Sequence, residues 1–481
     1  MEHVDIIIIG AGLSGIDAAC HFKMKCPDKT FVIFEARERI GGTWDLFKYP
    51  GIRSDSDMHT FSFYFKPWKY HQSIAEADVI MEYLDETVEE YSLGDKIRFN
   101  HSMEEASWSD ENHTWIIKGM NQATGESVEM SCNFLMVCTG YYDYEEGYTP
   151  DFEGLDKFQG IFVHPQKWPE DLSYEDKEVV IIGSGATAIT LIPAMADKTK
   201  HITMLQRSPS YVLSRPLQDG FARFVHKIFP DGIAHSLSRW KNLLESMYLF
   251  WASRRNPEKV KDYIQDEIVK VVGKDYDIDP HFNPSYNPWD QRLCLVPDND
   301  LFHTIRDGKC TMVTDHIDSF IQEGILLKSG KTLKADIVVS ATGLKLKSLG
   351  GMVFYVNGKK MDHGKAISYK GVMLDNYPNM AVVVGYTNAS WTLKADLTCM
   401  YVCRLLKHMD SNGIKKCMPV VQNPDMETIP LIDFSSGYVL RSINEIPKQG
   451  KEFPWRLHKN YVKDLRILKY NKIDDGHLTF S

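Results

Sequence analysis

Two short apolar runs that each break off into a glycine turn constrain this chain more than any other feature. Residues 4–9 lead into Gly10-Ala11-Gly12-Leu13-Ser14-Gly15, and residues 179–182 lead into Gly183-Ser184-Gly185-Ala186-Thr187-Ala188. An unbroken apolar run of this length is expected to be a strand buried on both faces of a parallel sheet. A glycine turn between such a strand and a helix brings backbone amides up to a pyrophosphate. The two motifs lie about 170 residues apart, too far for one βαβ unit, so the expected fold is α/β with two Rossmann-like dinucleotide-binding domains. Further runs at residues 337–339 and 381–384 supply later strands of the same kind.

Around the first motif the expected division of labour is complete. Gly10 permits the tight turn, Gly12 lets backbone approach the phosphates and Gly15 lets helix and strand pack closely. Glu35 ends the next strand, residues 30–34. A carboxylate there accepts hydrogen bonds from the adenosine ribose and repels a 2′-phosphate, which selects FAD or NAD over NADP. Gly41-Gly42-Thr43-Trp44 follows. Two glycines before a tryptophan allow backbone to lie flat against a planar ring system, as a flavin needs, so the first site is assigned to FAD. At the second motif the next strand, residues 201–205, ends in Gln206-Arg207 and carries no acid. A guanidinium pairs bidentately with a 2′-phosphate, which makes NADPH the expected ligand. Two such sites imply electron flow from NADPH to flavin.

Composition enters as a set of exclusions. With 55 Lys+Arg against 65 Asp+Glu the net charge is −10, and without a compensating basic run nucleic acid is not an expected partner. The nine cysteines show no Cys-x-x-Cys or metal-ligand spacing, so neither a disulfide reductase nor a metal centre is expected, and a reducing cytoplasm fits best. The opening Met1-Glu2-His3-Val4-Asp5 lacks the basic region of a signal peptide, and no apolar run is long enough to span a bilayer. Between about residues 220 and 272 the pattern turns helical. Ile233, Leu237, Trp240, Leu244, Met247 and Trp251 recur at spacings of three and four. This stripe is expected to pack on the protein's own core, the alternative being a membrane-surface face or one that admits substrate.

Between the two glycine motifs lies Phe158-Gln159-Gly160-Ile161-Phe162-Val163-His164-Pro165-Gln166-Lys167-Trp168-Pro169. It resembles the Baeyer–Villiger monooxygenase fingerprint F-x-G-x-x-x-H-x-x-x-W-[PD], carried by Phe158, Gly160, His164, Trp168 and Pro169. The resemblance implies insertion of one oxygen atom from O2 beside a ketone carbonyl, through a C4a-peroxyflavin, to give an ester or lactone. It also implies oxygenation of sulfur in sulfides and thioamides. Such chemistry needs a fixed cation beside the developing negative charge. The resemblance places it at Arg292, with Asp55 as the carboxylate that positions it. It further implies that Ser14, Thr43, Trp44, Leu46, Asp55 and Met103 line FAD. Arg53, Ser54 and Asp55 reach the nicotinamide end, and Gly183, Ser184, Gly185, Ala186, Thr187, Ala188, Ile189 and Ser208 cradle NADP beside Arg207. His164 and Trp168 couple the domains. Where many members carry lysine before the catalytic arginine, this chain has Gln291, so NADPH preference rests more heavily on Arg207. The alternatives are a flavin monooxygenase acting mainly on sulfur or nitrogen and a non-catalytic FAD/NADPH redox sensor. Residues 1–145 with 342–481 are expected to bind FAD, 146–213 with 288–341 to bind NADP, and 214–287 to form a helical insertion.

Overall fold

Strand Glu2–Ile9 is apolar in a way that only a doubly covered strand can use. Ile6 and Ile8 point into one core and Ile7 and Ile9 into another. In the computed structural model, which describes every residue except His71, this strand sits inside a nine-stranded sheet among the described residues. Phe31–Phe34 pairs parallel on one side, with Ile6 opposite Phe31, and Glu126–Val137 on the other, with Ile6 opposite Phe134. Ile97–Arg98 and Met380–Val382 extend the parallel part. Thr114–Asn121 and His101–Ser109 continue it antiparallel beyond Glu126–Val137. Helix α1 (Leu13–Lys25) and the Trp391–Ser411 helix cover the face of Ile6 and Ile8.

The second sheet repeats the plan with five parallel strands, in the order Cys310–Thr314, His201–Gln206, Glu178–Ile182, Ile337–Ser340 and Ile161–Val163. Glu178–Ile182 occupies the place that Glu2–Ile9 has in the first, followed by α2 (Ala186–Met195). Val179 and Ile181 face one core, Val180 and Ile182 another. In both sheets the strand before the glycine turn has neighbours that lead away on opposite sides. That is the switch point where a crevice opens at the strand ends. The chain crosses between the sheets twice, and the two crossings pair antiparallel as Tyr142–Gly147 with Leu344–Leu346.

Residues 214–287 contain α3 (Gly220–Ile228), α4 (Asp231–Arg255) and the Pro257–Val272 helix. Here one expectation is corrected. The α4 stripe of Ile233, Leu237, Trp240, Leu244 and Trp251 does not pack on the core: each is at least 40 % exposed. The buried side of α4 is instead polar, with His235, Ser238, Arg239 and Asn242 inside. Periodicity locates a stripe but not the side to which it turns, and here specific hydrogen bonds decide. Arg239 donates to the carbonyls of His59 (3.2 Å), Thr60 (3.3 Å) and Ser62 (2.6 Å) and to Asp396 (3.2 Å). Asn242 Nδ2 donates to Asp219 (2.9 Å).

Candidate active site

A single continuous cavity of about 1560 Å³ runs from the first glycine turn to the second. At the first turn α1 packs so tightly that a Cβ on Gly15 would lie 1.8 Å from the Gly10 carbonyl oxygen, so Gly15 serves close packing beneath the cavity. Gly12 and Gly42 pack backbone against backbone at its wall. Gly42 has φ +56°, and a Cβ there would come within 3.2 Å of Gly12 Cα. That contact leaves a stretch of side-chain-free backbone on the cavity wall, against which a planar ring or a diphosphate can lie. Neither Gly12 nor Gly185 caps its helix through a side chain, so the first-turn amides of α1 and α2 open toward the cavity, which Leu13, Ser14, Ala186 and Thr187 line. Unsatisfied N–H groups at a helix start suit an anion.

Glu35 is 5 % exposed, and burial pushes its carboxyl above the usual range. Its Oε2 accepts from the Ala11 amide (2.7 Å) and Oε1 from the Arg37 amide (3.0 Å). The same carboxylate therefore clamps the glycine turn to the neighbouring strand, and its remaining lone pairs face the cavity. Thr43 Oγ1 lies 3.2 Å from the Tyr144 hydroxyl. Trp44, partly buried, stands edge-on to Phe61. Leu46 and Met103 complete this end, Met103 at a bulge in its strand.

Arg292 and Asp55 form an ion pair in the middle of the cavity, each side chain about a third exposed to it. Asp55 beside the guanidinium raises Arg292 above its already high ordinary value, so it stays protonated at any working pH. Tyr141, Tyr142 and Tyr438 surround the pair, and burial raises each phenol so that all three remain neutral donors. The loop carrying Arg292 is lashed down on three sides. Arg254 of α4 donates to Asp290 (2.6 Å) and to the Trp289 carbonyl (2.7 Å). Asp290 in turn accepts from the Asn287 amide (3.1 Å), and its carbonyl accepts from Ser435 Oγ (3.1 Å). Trp289 is held at φ +70°, an uncommon conformation for so large a residue.

At the second turn Gly183, Ser184, Gly185, Ala186, Thr187, Arg207 and Ser208 all line the cavity. Ser184 Oγ donates to the Ser208 carbonyl (3.0 Å) and so joins the turn to the next loop. Arg207 is exposed and makes no ion pair among the described residues. The side chains of Ala188 and Ile189 are buried in the second core, and the Ile189 amide donates to the Gly185 carbonyl (3.2 Å), so what these two residues can offer a ligand is backbone. Arg53 and Ser54 line the cavity but are also engaged elsewhere. The Arg53 guanidinium pairs with Asp300 (2.6 Å), and Ser54 Oγ accepts from the Ala75 amide (3.1 Å).

The fingerprint residues Phe158, Gly160, His164, Trp168 and Pro169 stand outside the cavity wall. His164 sits at the double crossing, its ring against Gly147. Nδ1 accepts from the Gln166 amide (3.2 Å) and Nε2 lies 3.1 Å from the Gly343 carbonyl. One ring nitrogen must accept and the other donate, so the ring is neutral, and burial lowers its pKa in the same sense. Trp168 packs edge-on to Tyr174 in the second core.

Sequence reasoning missed Trp391. Its Nε1 donates to Ser14 Oγ (2.8 Å) and its ring stacks on Tyr141 at 5.3 Å. The nearby Gly385 is the available signal, since a Cβ there would lie 2.2 Å from the indole. The nine cysteines are all free and buried. Asp17, His21 and Asp396 cluster within metal-ligand reach, but Asp396 is paired with Arg239 there, which accounts for the grouping as an ion-pair network.

The flavin-binding monooxygenase-like family matches residues 3–420. The FAD-containing monooxygenase EthA of Mycobacterium tuberculosis is 48 % identical over 481 residues, covering 100 % of this chain and 98 % of that protein. EthA of Mycolicibacterium smegmatis is 47 % identical, with 100 % and 97 % covered. Among solved structures, OTEMO in complex with FAD and NADP superposes with a TM-score of 0.74 at 19 % identity, covering 99 % of both chains. An oxidised steroid monooxygenase bound to NADP gives 0.73 at 21 % identity, covering 88 % of each. At these identities the structural likeness is one of fold, and it reproduces the two-sheet plan. With two glycine-turn helices opening on one cavity, and with a match spanning most of the sequence, the chain belongs to the flavin-binding monooxygenase-like family.

Proposed function

We propose that this chain is an FAD-containing, NADPH- and O2-dependent monooxygenase that converts ketones to esters or lactones and also oxygenates sulfur in sulfides and thioamides. The observation that carries the oxygen-insertion reading is the Arg292–Asp55 pair, a fixed cation inside the cavity shared by both glycine turns. When bound, the flavin activates O2 and NADPH supplies the hydride that reduces it. The chain's own residues do the rest. The first turn and Glu35 hold FAD, with Thr43, Trp44, Leu46 and Met103 along it. Residues 183–188 with Ser208 hold the NADPH diphosphate, and Arg207 its 2′-phosphate. Arg292 places positive charge where negative charge grows on oxygen during insertion, and Asp55 fixes the direction of the guanidinium. Tyr141, Tyr142 and Trp391 wall that point from water. The corresponding division of the chain is 1–145 with 342–481 for FAD, 146–213 with 288–341 for NADP, and 214–287 as the insertion.

Arg292→Ala separates the two half-reactions. Anaerobic flavin reduction by NADPH should stay within a few fold of wild type, because hydride transfer needs orientation rather than this charge. Ester formation should fall by roughly 100-fold, the scale of losing one such electrostatic donor, while NADPH oxidation continues and releases hydrogen peroxide. Stopped-flow reduction and product mass under labelled O2 read both halves. Full ester yield from the variant would refute the role of Arg292 and favour oxygenation at sulfur or nitrogen, and lost flavin reduction would move Arg292 to cofactor binding.

A further inference from the structure

Helix α4 is turned inside out relative to an ordinary surface helix. It buries His235, Ser238, Arg239 and Asn242 and shows solvent an apolar stripe at a strict helical spacing, from Ile233 (51 % exposed) through Leu244 (53 %) to Trp251 (51 %). Contiguous apolar surface of this kind marks an interaction site, unlike hydrophobic residues scattered singly. The stripe continues onto α3, which packs against α4 and exposes Phe224 and Ile228, both at 58 %. At its other border Trp240 meets Tyr461 edge-on, next to the exposed Val462 and Tyr470 of the C-terminal segment.

Charge decides what covers this face. The chain as a whole carries −10, yet residues 220–255 hold Arg223, Lys227, Arg239, Lys241, Arg254 and Arg255 against only Asp231 and Glu245. Arg223, Lys227 and Arg255 are exposed and have no acidic partner among the described residues, although Arg255 also lies 5.2 Å over the Trp251 ring. An apolar stripe with tryptophan and tyrosine, bordered by free cations, is the pattern of a helix that lies in a membrane interface. A second copy of the chain fits less well, since a two-fold contact sets the same cations against themselves. No helix among the described residues is long and apolar enough to cross a bilayer, so the contact is one of lying on the surface.

We propose that the outward faces of α3 and α4 form a docking surface for a lipid bilayer containing anionic headgroups. The apolar stripe enters the headgroup boundary, while Arg223, Lys227 and Arg255 meet lipid phosphates and carboxylates at its edge.

Vesicle co-sedimentation of the full chain tests this. The protein should sediment with phosphatidylcholine vesicles containing phosphatidylserine, remain in solution with phosphatidylcholine alone, and be released as salt rises. Ile233→Asp with Leu244→Asp should cut binding by about tenfold or more. Arg223→Gln and Lys227→Gln should each cut it by about fivefold. All these side chains are exposed, and unchanged circular dichroism and melting temperature verify that the variants fold. Free phosphoserine at matched concentration separates recognition of a headgroup from recognition of a surface, and should not displace the protein. Equal sedimentation with both lipids, binding unaffected by the aspartates, or no sedimentation at all would overturn the proposal. Light scattering that shows a doubled mass, abolished by Leu244→Asp without any vesicle binding, would assign the face to a second copy instead.

Discussion

At the scale of single residues, the cavity assigns different kinds of work to its charged groups. Glu35 spends one hydrogen bond on each of two backbone amides and is therefore part of the scaffold as well as a ribose acceptor. Arg53 is held by Asp300, whereas Arg207 has no such partner among the described residues. A cation that lines a cavity without an internal partner is available to a ligand, and a charge-assisted contact with a phosphate is worth about 1.5–3 kcal/mol. Arg207→Ala should thus raise the KM for NADPH by about 10- to 100-fold and leave that for NADH nearly unchanged. Initial-rate kinetics with the two cofactors check this, and an equal loss with both would make Arg207 structural. Gln291 lines the same cavity but brings no charge to share that task.

At the scale of elements, the strands before the glycine turns were legible because burial on both faces demands an unbroken apolar run. Residues 4–9 and 179–182 lie within Glu2–Ile9 and Glu178–Ile182. The antiparallel strands His101–Ser109 and Thr114–Asn121 were not read, for they mix exposed and buried positions, and the bulge after Met103 breaks their alternation. Trp391 and Tyr438 escaped for another reason: they reach the cavity from segments hundreds of residues downstream, and the one local trace, Gly385 beside Trp391, gains its meaning only once the indole is seen packed on it. For α4 the period was legible and the direction was not. Its polar inward face has a measurable consequence. His235 is 3 % exposed, and burial, reinforced by the charge of Arg239 and by His59 and His226, lowers its pKa to about 3, with Asp396 opposing. The unfolded chain binds this proton near pH 6.5 and the folded one does not. Stability is therefore intact above pH 6.5 and declines as pH falls toward 3, by about 2 kcal/mol at pH 5 from this group. His235→Asn should remove that part of the decline, as read from thermal unfolding at pH 7 and pH 5. An unchanged slope would show that the imidazole reaches water before it protonates.

At the scale of the whole molecule, the two sheets are joined by a crossing so close that glycine is required in it. A Cβ on Gly147 would lie 1.9 Å from His164 Cε1. Gly147→Ala must therefore push the ring away from the Gly343 carbonyl and the Gln166 amide. The expected cost is about 1–3 kcal/mol. In Gly147→Ala with His164→Ala the clash is gone, so the two single costs should fail to add by about 1 kcal/mol or more in chemical denaturation. Additive losses would mean that the ring and the glycine do not press on one another.

The same crossing also fixes an order of events during synthesis. All strands of the second sheet lie between Ile161–Val163 and Ile337–Ser340, with the helical insertion among them, whereas the first waits for Met380–Val382 and for the Trp391–Ser411 helix that covers it. On the ribosome, where domains generally form as their residues emerge, the later half can close its sheet while the earlier half still has an open edge beside Glu126–Val137 and a bare face over Ile6 and Ile8. The portion translated first is the last to be finished. Until then its apolar strand edge needs protection, and a cell short of chaperones would lose this protein through its N-terminal half.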